Sequence, residues 1–269
     1  MATAYQFIRL CAAKKTLIKM LVVREIASRY KDTYLGIIWP LITPLILMAL
    51  FSFVFTDIMK LKFQNTDISA DVNYSLFIFL GLSVHAFFAE TLGKMNTIII
   101  DHQHYVKKIP FDTELLILGH ALSALFHFLI SIILIVILDI YFYGWDAGMF
   151  IYIPIIILPF FMITLGFAFI ISCAAVFCRD LAQFMGPLFT GLLFCSTTFY
   201  PMANVPVNLQ TLFTLNPITI PIEQLRLVIF LNAQPDFSNL GLSYIAGFLI
   251  FLFGFKVYSF YQRDFIDAI

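Results

Sequence analysis

Few side chains in this sequence of 269 residues can do chemistry, and their spacing excludes most familiar kinds. His102 and His104 come nearest to a metal pair. They stand beside Lys107 and Lys108 with one adjacent acid, Asp101, which is a poor ligand set for a divalent ion. Cys11, Cys173, Cys178 and Cys195 show no C-x-x-C spacing and no histidines at metal-finger distance, so they read as small reduced thiols. Within the apolar runs the titratable groups are His85, His120 and His127, and the last two, seven apart, share a helix face. Glu114 and Asp139 mark the ends of one long apolar run. Glu90 has Lys94 four residues on, the spacing of a helix-surface ion pair. No G-x-x-x-x-G-K-[ST] loop occurs, since Gly93-Lys94 lacks the upstream glycine and is followed by Met95. A proton-coupled carrier needs buried acids or a histidine chain and commonly shows repeated halves. A membrane protease or a metal-dependent lipid transferase needs a catalytic cluster. None of these features is visible, so any driving energy comes from another chain.

The elements that carry these residues follow from composition. Apolar residues make up 61% and charged residues 12%, with 32 phenylalanines and a mean hydropathy of +0.95. A soluble domain carries about 25% charge and about 45–50% apolar residues. The balance excludes disorder, a basic nucleic-acid binder and a secreted disulfide scaffold, and predicts an integral membrane protein. A spanning helix needs about 20 mostly apolar residues. Six segments qualify: Leu35–Thr56, Tyr74–Gly93, Thr113–Phe142, Phe150–Phe177, Ala182–Pro201 and Leu240–Tyr261. The third and fourth exceed the requirement, so each tilts or runs past the bilayer.

Basic residues set the orientation. With the N-terminus inside, the inner segments hold thirteen Lys and Arg and the outer segments hold three, Lys60, Lys62 and Arg226. Both termini are therefore expected in the cytoplasm. Residues 1–34 mix seven basic residues with short apolar runs. They read as interfacial helix rather than a cleavable leader or a span, although apolar and basic residues do not sort onto two clean faces. Residues 35–269 form the six-span domain. Within it, residues 202–237 are apolar yet broken by Pro206, Pro217, Pro221 and Pro235, which predicts an outer re-entrant helical segment. The inner loop Lys94–Asp112 predicts one short helix stopped before Pro110.

At this point the residues become specific. The run Arg29-Tyr30-Lys31-Asp32-Thr33-Tyr34-Leu35-Gly36, continuing to Trp39-Pro40-Leu41 and Thr43-Pro44-Leu45, resembles the entry signature of ABC-2 type permeases that export polysaccharides. Arg179-Asp180 before the fifth span, with Phe199-Tyr200-Pro201 after it, is a second likeness. Leu215-Asn216-Pro217-Ile218 followed by Glu223 and Arg226 is a third, and the tail Phe265-Ile266-Asp267-Ala268-Ile269 a fourth. Together they cover the chain from about residue 24 to its end in the family's order, and are most like the O-antigen branch.

The resemblance implies an all-α permease subunit that homodimerises and is powered by two copies of a separate ATP-binding subunit, which holds ATP and magnesium. This chain then carries no cofactor and no catalytic residue. The implied cargo is a polysaccharide linked to undecaprenyl pyrophosphate, moved across the bacterial inner membrane. The resembled family enters its cargo at an inner gate, here Arg29, Tyr30, Lys31, Tyr34, Gly36 and Trp39. Arg29 and Lys31 could meet the phosphate, while basic residues at a first span are also expected for orientation alone. Gly36 permits a close turn and Pro40 suits an early helical position. The ATPase would dock on Asp101, His102, His104, Lys107, Lys108, Arg179 and Asp180. Aromatic rings that stack on sugar faces make Phe51, Phe55, Phe194, Phe199 and Tyr200 the channel candidates. Asn216, Pro217, Glu223 and Arg226 form the outer gate candidate, with a local structural bridge between Glu223 and Arg226 as the other reading. The rival readings are export of capsule, teichoic acid or drugs on the same fold, and a membrane-embedded glycan-modifying enzyme.

Overall fold

The computed structural model describes residues 2–31, 33–58, 73–103, 112–144, 148–178, 180–262 and 265; every regular element among them is helical. In chain order these are α1 (Ala2–Ala13), α2 (Lys15–Tyr30), α3 (Trp39–Phe51), α4 (Tyr74–Met95), the single turn α5 (Ile98–Asp101) and α6 (Glu114–Tyr143). They continue with α7 (Gly148–Phe177), α8 (Leu181–Phe194), α9 (Val207–Leu215), α10 (Thr219–Phe230) and α11 (Phe237–Tyr261). Helices α4, α6, α7 and α11 are each long and apolar enough to cross a membrane, while α3 and α8 are shorter apolar helices. At 1.5 Å per residue, the 30 residues of α6 and of α7 reach about 45 Å, against about 30 Å of hydrocarbon.

Local chemistry explains where these helices start. Gly36 takes a positive φ of 52°, a conformation that costs glycine little. It opens a tight turn that leads into α3 with Pro40 in the first helical turn. A wider-coiled stretch, Ser52–Ile58, extends α3. The Asn73 side chain accepts from the Ser75 amide at 2.9 Å to start α4. Asp236 accepts from the Ser238 amide at 2.9 Å and starts α11 three residues before the expected Leu240, as N-caps do.

The core lies where α4, α6, α7 and α10 meet. Phe87 of α4 stacks on Phe128 of α6 at 5.2 Å and meets Phe160 of α7 edge-on at 5.4 Å. The inward face of α10, including Ile222, Leu225 and Ile229, is fully buried against it. In lipid, helices gain little from hydrophobic burial and associate through close packing and polar bonds. The most extensive pairing, α7 with α11, accordingly runs through glycine. A Cβ on Gly166 would lie 2.7 Å from the Ile250 carbonyl oxygen, and one on Gly254 would overlap the Gly166 carbonyl. Phe7 anchors α1 on this pair, edge-on to Phe251 at 5.3 Å and Phe255 at 5.1 Å. Tyr258 of α11 donates to Thr113 at 2.6 Å, tying the end of α11 to the start of α6.

Candidate functional site

Helix α2 packs lengthwise along the first half of α6, and the contact is a polar seam. Leu21 sits on Gly119, where an added Cβ would lie 3.1 Å from the leucine Cβ. One turn further along, Glu25 faces His120 Nδ1 at 2.9 Å, and His120 Nε2 faces the Glu90 carbonyl at 3.4 Å. The bond from His120 holds the Glu25 carboxyl below its ordinary value, against a smaller opposing effect of burial. Another turn brings Arg29 to Glu90 of α4 at 2.6 Å and to His127 Nδ1 at 3.2 Å. The same Nδ1 lies 3.7 Å from the Glu90 carboxylate, and Nε2 of His127 faces the Tyr30 oxygen at 2.9 Å. Burial is the largest single influence and works against the Arg29 charge, but the bond to Glu90 and the charges of Glu90, Tyr30 and Glu25 together outweigh it and raise the guanidinium's pKa.

This cluster stands at one end of a cleft of about 510 Å³ between α3, α4 and α6, within the usual size of ligand sites. Its walls grade from Arg29, Glu90 and His127 to the apolar Leu47, Phe51 and Phe79, with Ala86 leaving its middle open. Of the entry residues, Arg29 and Tyr30 line this cleft. Lys31 and Gly36, with Tyr30 again, line a second, more open cleft. Tyr34 is fully exposed, and Trp39 is half-buried at the start of α3.

The expected Glu90–Lys94 pair does not form. Glu90 is taken by Arg29, and Lys94 instead reaches Asp101 at 2.7 Å. Burial opposes the Asp101 charge, yet hydrogen bonds from Lys94 and Thr97 lower its pKa. His102 faces the Ile98 carbonyl at 2.9 Å and Arg24 of α2 at 3.3 Å. Two of the proposed docking residues, Asp101 and His102, thus adjoin the seam; Asp180 is exposed at the start of α8. His104, Lys107, Lys108 and Arg179 lie outside the described residues, as does the stretch before Pro110.

The other end of the bundle holds the remaining candidates. Helix α8 ends at Phe194 rather than running on to Pro201, because side chains from further along the chain capture its terminal carbonyls. The Asn216 amide donates to Leu192 at 2.8 Å and to Cys195 at 3.0 Å. Arg226 donates to Thr197 at 2.6 Å and Thr198 at 2.9 Å, and meets Glu223 at 3.3 Å. A helix end leaves such carbonyls unsatisfied unless something supplies donors. Pro217 closes the link by separating α9 from α10, helices of 9 and 12 residues, each too short to span.

The aromatic candidates fall into one ladder beside this cap. Phe51 and Phe55 have ring centres 6.1 Å apart, and Phe55 lies 6.0 Å from Tyr74. The Tyr74 hydroxyl donates to the Phe199 carbonyl at 2.8 Å, and Phe199 stacks on Phe194 at 5.7 Å. Tyr200 donates to the Phe194 carbonyl at 2.7 Å. Sequence reasoning missed Glu90 and His127 as partners of Arg29, and Tyr74 as the rung between the two aromatic groups. The shared face of His120 and His127 was the one available signal for the seam.

Comparison with known proteins adds the context. The model of the ABC-2 type transporter family matches residues 16–230. An O-antigen export system permease protein of Klebsiella pneumoniae is 24% identical over 249 residues, covering 90% of this chain and 91% of the relative. One from Myxococcus xanthus is 24% identical over 218 residues, covering 80% and 81%.

Proposed function

The chain belongs to the ABC-2 type transporter family, and from that premise we propose that it is the membrane-spanning subunit of an exporter of O-antigen polysaccharide carried on undecaprenyl pyrophosphate. As a multi-pass permease it works with an ATP-binding subunit, and in this reading two copies of that partner hold the ATP and magnesium. The aromatic ladder from Phe51 to Phe199 is the observation that supports a sugar cargo. Aromatic faces accept the apolar faces of sugar rings while hydroxyls stay near polar edges. The names of the Klebsiella and Myxococcus relatives point the same way.

In this reading α3, α4, α6, α7, α8 and α11 are six spans, both termini face the cytoplasm of a bacterial inner membrane, and α9–α10 re-enter from the outer side. Six helices of one chain leave little room for a polymer, so two copies share one pathway. The helices with the least burial support that arrangement: only Pro40 of α3 and Met185 of α8 are buried. Asp101, His102, His104, Lys107, Lys108, Arg179 and Asp180 then receive the ATPase. Arg29, Tyr30, Lys31, Tyr34, Gly36 and Trp39 form the entry, while Asn216, Pro217, Glu223 and Arg226 hold the outer exit.

The test is export. Lys107→Glu with Lys108→Glu, or Arg179→Ala, should stop polysaccharide reaching the cell surface while the subunit still inserts. Survival of both ATPase association and export would remove the docking assignment. A cysteine at Asn65 or Asn232 should react with an impermeant thiol reagent in intact cells and one at Gln103 should not. Labelling of position 103 would invert the topology.

A further inference from the structure

We propose that the cleft between α3, α4 and α6 holds one phospholipid of the inner leaflet, its zwitterionic ethanolamine headgroup on Arg29 and Glu90 and an acyl chain along the apolar walls. The occupant is a lipid of the bilayer itself and not the cargo. The inference therefore goes beyond the export reading, although it shares Arg29 and Tyr30 with the proposed entry. Length is the first argument. The lining runs from Glu90 to Phe79 along α4 and from Pro40 to Phe51 along α3, eleven residue steps in each case. At 1.5 Å per residue that is about 16 Å, half of a hydrocarbon layer about 30 Å thick. Glu90 stands little more than one turn from the end of α4 at Met95, so the charged end lies at a membrane face and the apolar end near the midplane. An undecaprenyl tail is far longer than one leaflet and would overrun such a cleft.

Charge complementarity is the second. Arg29 spends one donor on Glu90 Oε1 at 2.6 Å and one on His127 at 3.2 Å, and a guanidinium has five. Glu90 accepts on Oε1 alone among the described residues. Its Oε2 is left for an ammonium and the remaining guanidinium donors for a phosphate, both charge-assisted bonds. A phosphoethanolamine group supplies that pair of charges, whereas a glycerol headgroup brings no cation to Glu90. Deeper in, the polar side chains are already engaged with backbone. Ser83 donates to the Phe79 carbonyl at 2.7 Å, Ser131 to that of His127 at 3.3 Å and His85 to that of Phe189 at 3.0 Å. What the walls offer a ligand there is the apolar surface of Leu47, Phe51 and Leu82. The cleft is also open sideways, since Thr43, Leu47 and Ala86 on its lining are exposed. On α3, Pro40, Pro44, Leu47 and Phe51 recur at helical spacing and share the cleft face. The exposed Leu45 and Ile46 lie on the other side of that helix, where a second copy has room to pack.

The experiment is native mass spectrometry on the full chain, stripped of lipid in detergent, with dioleoyl phosphatidylethanolamine or dioleoyl phosphatidylglycerol added back. One phosphatidylethanolamine per chain should survive activation that removes other lipid, and phosphatidylglycerol should bind about fivefold more weakly or worse. Glu90→Gln should erase that preference, because the ammonium loses its partner while Arg29 keeps the phosphate. Misfolding does not mimic this result, since it would weaken both lipids together. Ala86→Phe fills the middle of the cleft and should lower the binding of both lipids about tenfold or more. Leu249→Phe, on an exposed face of α11, should change neither. Failure to retain any lipid overturns the proposal, as does an unchanged preference in Glu90→Gln or unchanged binding in Ala86→Phe. Lipid on monomers but never on dimers would mean that a second copy covers the cleft, and the proposal falls. Displacement of phosphatidylethanolamine by an equimolar amount of undecaprenyl phosphate would assign the cleft to the cargo and overturn it as well.

Discussion

Arg226 donates to the backbone carbonyl of Phe77 at 3.0 Å while its guanidinium carbon lies 3.3 Å from the centre of the ring of the same residue. One cation thus holds α10 to the first turn of α4 through a carbonyl and a π face, and also caps the end of α8 through Thr197 and Thr198. Glu223, with a side chain 30% exposed, is the minor partner. Glu223→Gln should therefore cost under about 1 kcal/mol, as for exposed pairs. Arg226→Gln should cost about 3–5 kcal/mol, the range for breaking a buried charge contact. Reversing both charges should not rescue folding, because a glutamate at 226 would face carbonyl oxygens, which only accept. The measurement is the thermal midpoint and folded yield in detergent. Restoration by the double swap would show that the carbonyl contacts do not hold this arginine.

Where the fold was legible in the sequence, short-range chemistry decided it. Asn73 and Asp236 cap the residues next to them, Gly36 makes its own turn, and long apolar runs became long helices. Where it was not, a distant residue decided. The end of α8 is set by Asn216 and Arg226, the latter 28 and 29 positions beyond the carbonyls it caps. Glu90 ignores the lysine four residues away for an arginine 61 positions back. The five channel candidates could be chosen by type alone, but the ladder that joins them depends on the Tyr74 hydroxyl reaching Phe199 across 125 positions.

Glu25 supplies a pH test. Its folded pKa is lowered from 4.5, chiefly by the His120 bond. A carboxylate of this kind adds stability above its unfolded pKa and loses that contribution as pH falls through its folded value. The α2–α6 contact should therefore be intact at pH 7 and weaken progressively below about pH 4.5. Protease cutting within α2 should rise in that window for the native chain and change much less for Glu25→Gln. Identical acid profiles for the two would mean that another group governs the release of α2.

The α7–α11 contact predicts a sharp asymmetry between glycines. Gly254 touches the Gly166 backbone, whereas nothing lies within 4 Å of a Cβ at Gly241 of the same helix. Gly254→Val should force the two helices apart and cost more than about 3 kcal/mol, beyond the usual overpacking range. Gly241→Ala should be silent or slightly stabilising through helix propensity, worth up to about 1 kcal/mol. Comparing folded yield and thermal midpoint for the two variants checks this. Equal tolerance at both positions would contradict the close backbone approach.

Asp139 makes the opposite kind of prediction, a polar group whose removal should help. It sits in the last turns of α6 with 1% exposure, and both carboxylate oxygens are buried without a hydrogen-bond partner among the described residues. An unsatisfied buried polar group costs about 1–3 kcal/mol, and more when charged. Replacing a carboxylate by an amide of the same shape removes the charge and keeps the volume. Asp139→Asn should therefore leave the thermal midpoint unchanged or raise it, and Asp139→Leu should do at least as well, since it buries no polar atom. Cross-checking both variants against Ser123→Ala, whose buried hydroxyl also lacks a partner among the described residues, separates a general effect of unsatisfied groups from one specific to this acid. If Asp139→Asn lowers the midpoint by several degrees while Ser123→Ala does not, the carboxylate is bonded in the native membrane protein and the prediction fails.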